Sequence, residues 1–201
     1  MGDRNTLSGC EILPSQFAQK IAAEAEISDF IFEDMIGDLL PWGDTACRRH
    51  NGRSGGRKCA TIFDLRRLFI PVCENSRWIL IMVDFSEEKV LVFDSLNEHG
   101  PDQERNLAQR WSMLIMHFVA ISYLCDFGEK IDPCRWSRRI VCNTPQQGNG
   151  YDCGMFLLMN AEMLAQGKSL NYPSSLVEEK MRMRVACTLA SDTPALIKWM
   201  S

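Results

Sequence analysis

Apolar residues recur along this chain in two rhythms, one near 3.6 residues and one near 2, and these divide it into helices and strands. From Pro14-Ser15-Gln16-Phe17 the spacing is helical through Ala25. From Ile27-Ser28-Asp29 a second helical pattern puts Phe30, Ile31, Met35, Ile36, Leu39 and Leu40 on one face. Periodicity is lost between Pro41 and Lys58. There Arg48-Arg49-His50-Asn51-Gly52-Arg53-Ser54-Gly55-Gly56-Arg57-Lys58 carries five basic residues and no acid, which reads as a mobile basic surface loop over residues 47–59. Three strand-like runs follow, Leu65 to Val72, Trp78 to Phe85 and Lys89 to Asp94. The middle run, Trp78-Ile79-Leu80-Ile81-Met82-Val83, is apolar at every position, so both faces of that strand are expected to lie under helices. Ser86-Glu87-Glu88-Lys89 closes a hairpin into Val90-Leu91-Val92-Phe93.

Pro101 to Leu124 has helical spacing, with a helix-start proline and acids in its first turn. Arg138 to Asn143 is a further short strand. Cys153 to Gln166 reads as a buried helix stopped by Gly167, and Ser174-Ser175-Leu176-Val177-Glu178 as the capped start of a last helix running to about Ala190. There is no internal repeat. The order of elements predicts an α+β fold, a small central sheet packed by helices, as a single domain over residues 1–201.

Composition narrows the function. With 201 residues, 46% of them apolar, the chain has material for one substantial core. A net charge of -4 gives no general attraction to nucleic acid or to an anionic membrane, and no apolar run reaches the length of a membrane span, so neither is an expected partner. The polar start Met1-Gly2-Asp3-Arg4-Asn5 lacks the apolar core of a secretion signal. Nine cysteines, an odd number, several inside apolar stretches, fit a reducing compartment, nucleus or cytoplasm. Cys47-x-x-His50 with Cys59 is the nearest approach to a metal knot, but a fourth ligand would have to come from far away; no metal and no organic cofactor is implied.

The segment richest in chemistry is Pro145-Gln146-Gln147-Gly148-Asn149-Gly150-Tyr151-Asp152-Cys153-Gly154-Met155. A glycine-rich turn delivers a cysteine onto the first turn of an apolar helix, where free backbone N–H groups and the helix dipole favour a thiolate. Gln147 stands on the same turn, placed so that its amide and the Cys153 N–H can converge on a developing oxyanion. On these residues alone, Cys153 reads equally as a nucleophile or as a small core hydrophobe.

The same segment resembles the nucleophile motif of the Ulp/SENP family of SUMO-deconjugating cysteine peptidases. A second block is similar in the family's order: Phe69-Ile70-Pro71-Val72, then Arg77-Trp78, an apolar strand to Asp84, and Val92-Phe93-Asp94-Ser95-Leu96. With a final helix containing Arg182-Met183-Arg184, the resemblance spans about residues 60 to 190. It implies the papain-like fold of that family. It also implies Cys153 as nucleophile, Asp94 as the carboxylate that orients the base, Gln147 as the oxyanion side chain, and Trp78 as the cover of a channel for a modifier's Gly-Gly tail. The implied partner is a ubiquitin-like modifier, SUMO first, with NEDD8 and ubiquitin as further candidates. The family's early Trp-Leu-Asn-Asp segment has no clean counterpart; Ile27-Ser28-Asp29 or Trp42 stand nearest to it.

One position departs from the pattern. The family places its histidine base just before the tryptophan and seventeen residues before the aspartate, and here that residue is Arg77. A guanidinium holds its proton far above neutral pH and has no acceptor lone pair, so Arg77 can neither take the thiol proton nor return one to a leaving amine. It can pair with Asp94. Of the three histidines, His50 belongs to the basic loop, His99 follows the Asp94 strand, and His117 lies on the apolar helix. The expectation is a thiol peptidase with weak or absent turnover, or a pseudoprotease that binds without cleaving.

Overall fold

A computed structural model of the chain describes residues 8–27, 47, 51, 60–96 and 103–190. Five strands form one mixed sheet in sequence order: β1 (Ser8–Ile12), β2 (Leu65–Glu74), β3 (Arg77–Asp84), β4 (Lys89–Phe93) and β5 (Ser137–Ile140). The inner three are antiparallel, and β1 and β5 lie parallel to their neighbours at the two edges. A parallel pair needs a crossover. Helix α1 (Ser15–Ile27) follows β1, and α2 (Gln103–Phe127) lies between β4 and β5.

The unbroken apolar run of β3 is explained by cover on both sides. Ile79, Ile81 and Val83 join Phe17 and Ile21 of α1 and Trp111, Ile115, Phe118 and Val119 of α2 in one core layer. Leu80 and Met82 point the other way, with Phe69 and Phe93, against Leu157 and Ala161 of α3 (Cys153–Ala165). Each fully buried Ile or Leu there contributes about 2 kcal/mol of burial free energy. Helix α3 stops as its sequence predicts: Gly167 takes φ +67, Lys168 N–H bonds the Met163 carbonyl at 2.8 Å, and Gly167 N–H bonds the Leu164 carbonyl at 3.1 Å.

Four expectations need correction. β1 is a strand that Ser8-Gly9-Cys10-Glu11-Ile12 did not announce, because an edge strand of five residues, one of them glycine, carries too little alternation. β5 ends at Ile140, before Asn143. The last helix, α4, opens as one α-turn (Ser174–Leu176), passes through a π-helical segment (Val177–Met181) and resumes α geometry over Arg182–Ala190. Its N-cap is Pro173 without a side-chain cap, so the expected capping role of the serine is absent; Ser174 Oγ instead donates to the Gln146 carbonyl at 2.6 Å. The second expected helix and the basic loop at 47–59, apart from buried Cys47 and from Asn51, lie outside the described residues, as do Trp42, His50, Cys59 and His99. Among the described residues no helix is long and apolar enough to cross a membrane.

Candidate active site

β2 and β3 are joined by a two-residue turn in which Asn75 (φ 51) and Ser76 (φ 63) both take left-handed conformations, as a tight hairpin turn requires. For the serine that conformation costs about 1 kcal/mol or more. The turn brings the first residues of β3 over the start of α3. The Trp78 N–H points at Cys153 Sγ from 3.4 Å, and the Cys153 thiol faces the Ser76 carbonyl at 3.9 Å. The Trp78 indole lies over Gly154, where an added Cβ would sit in van der Waals contact with its Cδ1 at 3.5 Å.

Cys153 is 4% exposed and is the first residue of α3. The first N–H groups of a helix lack helical acceptors, and α3 carries no side-chain cap, so the backbone beside the thiol is equipped to receive a negative oxygen. Gln147 is buried just before it. Its Oε1 accepts from Ser95 Oγ at 2.6 Å, its backbone N–H bonds the Ser95 carbonyl at 2.9 Å, and its Nε2 donates to the Asn149 carbonyl at 2.5 Å. Ser95 thereby fixes which end of the amide is the donor. One Nε2 hydrogen goes to Asn149, and an amide nitrogen carries a second.

Asp94 follows the last residue of β4. Arg77 grips it with both ends of its fork, Nε to Oδ1 at 3.2 Å and Nη2 to Oδ2 at 2.5 Å, and the Leu96 N–H adds a bond to Oδ1 at 3.0 Å. The side chains are 11% and 2% exposed, so this is a largely desolvated bidentate pair. The Asp94 carbonyl is held in turn by Gln146 Nε2 at 3.1 Å and Thr144 Oγ1 at 3.3 Å. The two sequence blocks therefore meet where the motif order expects, with Arg77 bonded to Asp94 and the next residue's N–H on Cys153. Chemically the site offers a thiol and oxyanion donors. The side chain bonded to the carboxylate is an arginine, which cannot relay a proton.

The described histidine, His117, lies on α2, which packs on the sheet face opposite α3; burial first, and Arg138 second, lower its pKa. Cys73, directly across the β2–β3 ladder from Trp78, has its thiol pushed up by burial and by the neighbouring Cys153. Among the described residues no group of three or more His, Cys, Asp or Glu is arranged to hold a metal.

Ser95, Glu178 and Arg182 carry no role readable from the sequence, and Ser174 reads there only as a cap, yet Ser95 orients Gln147 and the three α4 side chains strap the nucleophile loop. Besides Ser174, Glu178 Oε1 accepts from the Gly148 N–H at 2.8 Å, and Arg182 donates to Asp152 Oδ1 at 2.6 Å and to the Tyr151 carbonyl at 2.9 Å. Positions 174, 178 and 182 are four apart, a spacing that puts them on one helix face and that is readable in the sequence once the helix is drawn. What they grip lies 28 to 31 residues away and is not.

Comparison with known proteins agrees with this geometry. The chain is 32% identical over 114 residues to ubiquitin-like-specific protease ESD4 of Arabidopsis thaliana, covering 54% of this chain and 21% of that protein. It is 32% identical over 107 residues to ubiquitin-like-specific protease 1 of Saccharomyces cerevisiae, covering 52% and 15%. It thus spans about a fifth of the length of these relatives. In fold it is similar to the C-terminal Ulp1 protease domain solved in complex with SMT3, the yeast ortholog of SUMO, with TM-score 0.55 and 21% identity over 89% of this chain and 74% of that one. A Ulp1-like SUMO protease catalytic domain of Chaetomium thermophilum gives TM-score 0.54 at 21% identity over 88% and 68%. The family model for the Ulp1 protease family, C-terminal catalytic domain, matches residues 14–193, and the chain belongs to that family.

Proposed function

We propose that this domain engages the C-terminal Gly-Gly tail of a ubiquitin-like modifier, SUMO first, with Cys153 as acyl acceptor and Trp78 over the tail, and that its hydrolysis is crippled at the proton-transfer steps. One observation carries the reading: Arg77 locked onto Asp94 beside an otherwise equipped Cys153. Support for the modifier comes from the family and from the yeast relative's complex with SMT3.

The chemistry divides cleanly. Attack of Cys153 Sγ on the terminal glycine carbonyl creates an oxyanion, for which Gln147 and the α3 N-terminal N–H groups are the candidate donors. Collapse requires a proton for the leaving amine, and deacylation requires a base for water. A histidine serves both steps and Arg77 serves neither. Loss of such a group costs about 10²- to 10⁴-fold in rate. The same ion pair favours a second reading, a pseudoprotease that docks a modifier or another partner without cleaving it.

The test is hydrolysis of C-terminal fluorogenic SUMO, NEDD8 and ubiquitin substrates by the chain and by Arg77→His, with Cys153→Ala as blank and binding of each modifier recorded alongside. Silence in the chain and activity in Arg77→His is the expected result. Binding with silence in both would leave the docking reading, and Cys153-dependent turnover in the unaltered chain would refute the claim of impairment.

A further inference from the structure

Asp152 immediately precedes Cys153 and is the N-cap of α3, a position where an aspartate ordinarily folds its carboxylate over the first helical N–H groups. Here it makes no such bond. Its carboxylate is drawn the other way. Oδ1 takes Arg182 at 2.6 Å and Oδ2 takes Asn149 Nδ2 at 2.8 Å, while Asn149 Oδ1 accepts the N–H groups of Tyr151 (3.1 Å) and Asp152 (3.0 Å). Asp152 is 2% exposed and Arg182 52%, so a surface guanidinium from a different helix neutralises a buried charge one residue from the thiol. Arg182 is itself seated, with its Cζ 5.3 Å from the centre of the Tyr151 ring.

We infer that Arg182 is a positioning residue for acyl transfer: it holds the Asp152 carboxylate off the N-terminus of α3 and cancels its charge, so that the Cys153 and Gly154 N–H groups are kept for the acyl oxygen. Without Arg182 the carboxylate would be buried without its countercharge beside the strongest donors nearby, and it would oppose a second negative charge forming there. The π-helical segment lies just before Arg182 and widens the turn that sets its place relative to Ser174 and Glu178, which anchor the same loop.

The inference rests on the reading of Cys153 as acyl acceptor, and the test separates the two. A small soluble thioester, acetyl-Gly-Gly linked to mercaptoethanesulfonate, transfers its acyl group to a thiolate and releases the other thiolate, so no leaving-group proton is needed. The acylation rate of Cys153 in the full chain is followed by peptide mass, with N-acetylcysteine as the unassisted reference and thermal midpoints measured for every variant. Arg182→Ala should slow acylation at least about tenfold. Arg182→Lys, which keeps the charge but not the fork, should stay within about threefold of the parent. The double variant Asp152→Ala/Arg182→Ala should recover to within about threefold of the parent, because the offending carboxylate is gone.

A double variant as slow as Arg182→Ala, or slower, would overturn the inference, since a plain structural clasp is not repaired by cutting away its other half. Loss of folding in both arginine variants would likewise make Arg182 a structural residue. Parent Cys153 acylated no faster than N-acetylcysteine would instead overturn the acyl-acceptor reading, and the role of Arg182 with it.

Discussion

β3 carries an arginine–aspartate pair at each end, and the two are built alike. At its last residue Asp84 takes Arg67 Nε at 2.8 Å from the neighbouring strand; at its first, Arg77 reaches Asp94 just past β4. In each pair the partners are seventeen residues apart and the carboxylate is almost wholly buried. Their surroundings differ. Arg67 also caps the C-terminal end of α3 through the Leu164 carbonyl at 2.9 Å, and Ser86 and the Glu87 N–H complete the Asp84 shell, a purely structural arrangement. The other pair begins one residue before Trp78, whose N–H meets Cys153 Sγ at 3.4 Å. Under the proposed function, this second pair takes the place of a catalytic dyad.

The comparison breaks most visibly if the active-site clasp is reopened. Arg77→His should raise Cys153-dependent hydrolysis of a modifier substrate by about 10²-fold or more and give the rate a new pH dependence in the imidazole range near 6 to 7. The equivalent cut at the other end should act on stability instead. Asp84→Ala strands Arg67 and should cost about 3 kcal/mol in urea denaturation while leaving Cys153 acylation unchanged.

Smaller effects sharpen the contrast. Ser95→Ala, made in the Arg77→His background, frees the Gln147 amide to turn and should lower kcat about tenfold with KM little changed. The smallest expected effect is on acid stability. Burial raises the Asp84 carboxyl, but Ser86, Arg67 and the Glu87 N–H together outweigh it and leave the pKa below its ordinary 3.8. A group lowered on folding contributes stability that is full above its unfolded pKa and is lost as pH falls through the folded value. The unaltered chain should therefore lose stability below about pH 4 more steeply than Asp84→Asn does in an acid titration of urea midpoints.

Much of this was legible in the chain. The all-apolar β3 demanded two helical layers, and the glycine-rich turn running into an apolar stretch put Cys153 at the start of a buried helix; both are local patterns. The Arg77–Asp94 contact followed from motif order. What escaped were features fixed by distant partners. β1 is a strand because β2 offers it a parallel edge, not because Ser8–Ile12 alternates. Ser174 looked like a cap but serves the Gln146 carbonyl, and Ser95 orients an amide 52 residues away. Hydrogen bonds of that range leave no period in the sequence.

Under the proposed function the nucleophile half works and the proton-relay half does not. The most direct measurement offers the unaltered chain two forms of the same modifier, one ending in a C-terminal vinyl methyl ester that captures a thiol, the other an isopeptide conjugate. The expected result is a covalent adduct on Cys153, found by intact mass and absent in Cys153→Ala, with no cleavage of the conjugate over the same time. Cleavage of the conjugate that disappears in Cys153→Ala would contradict it.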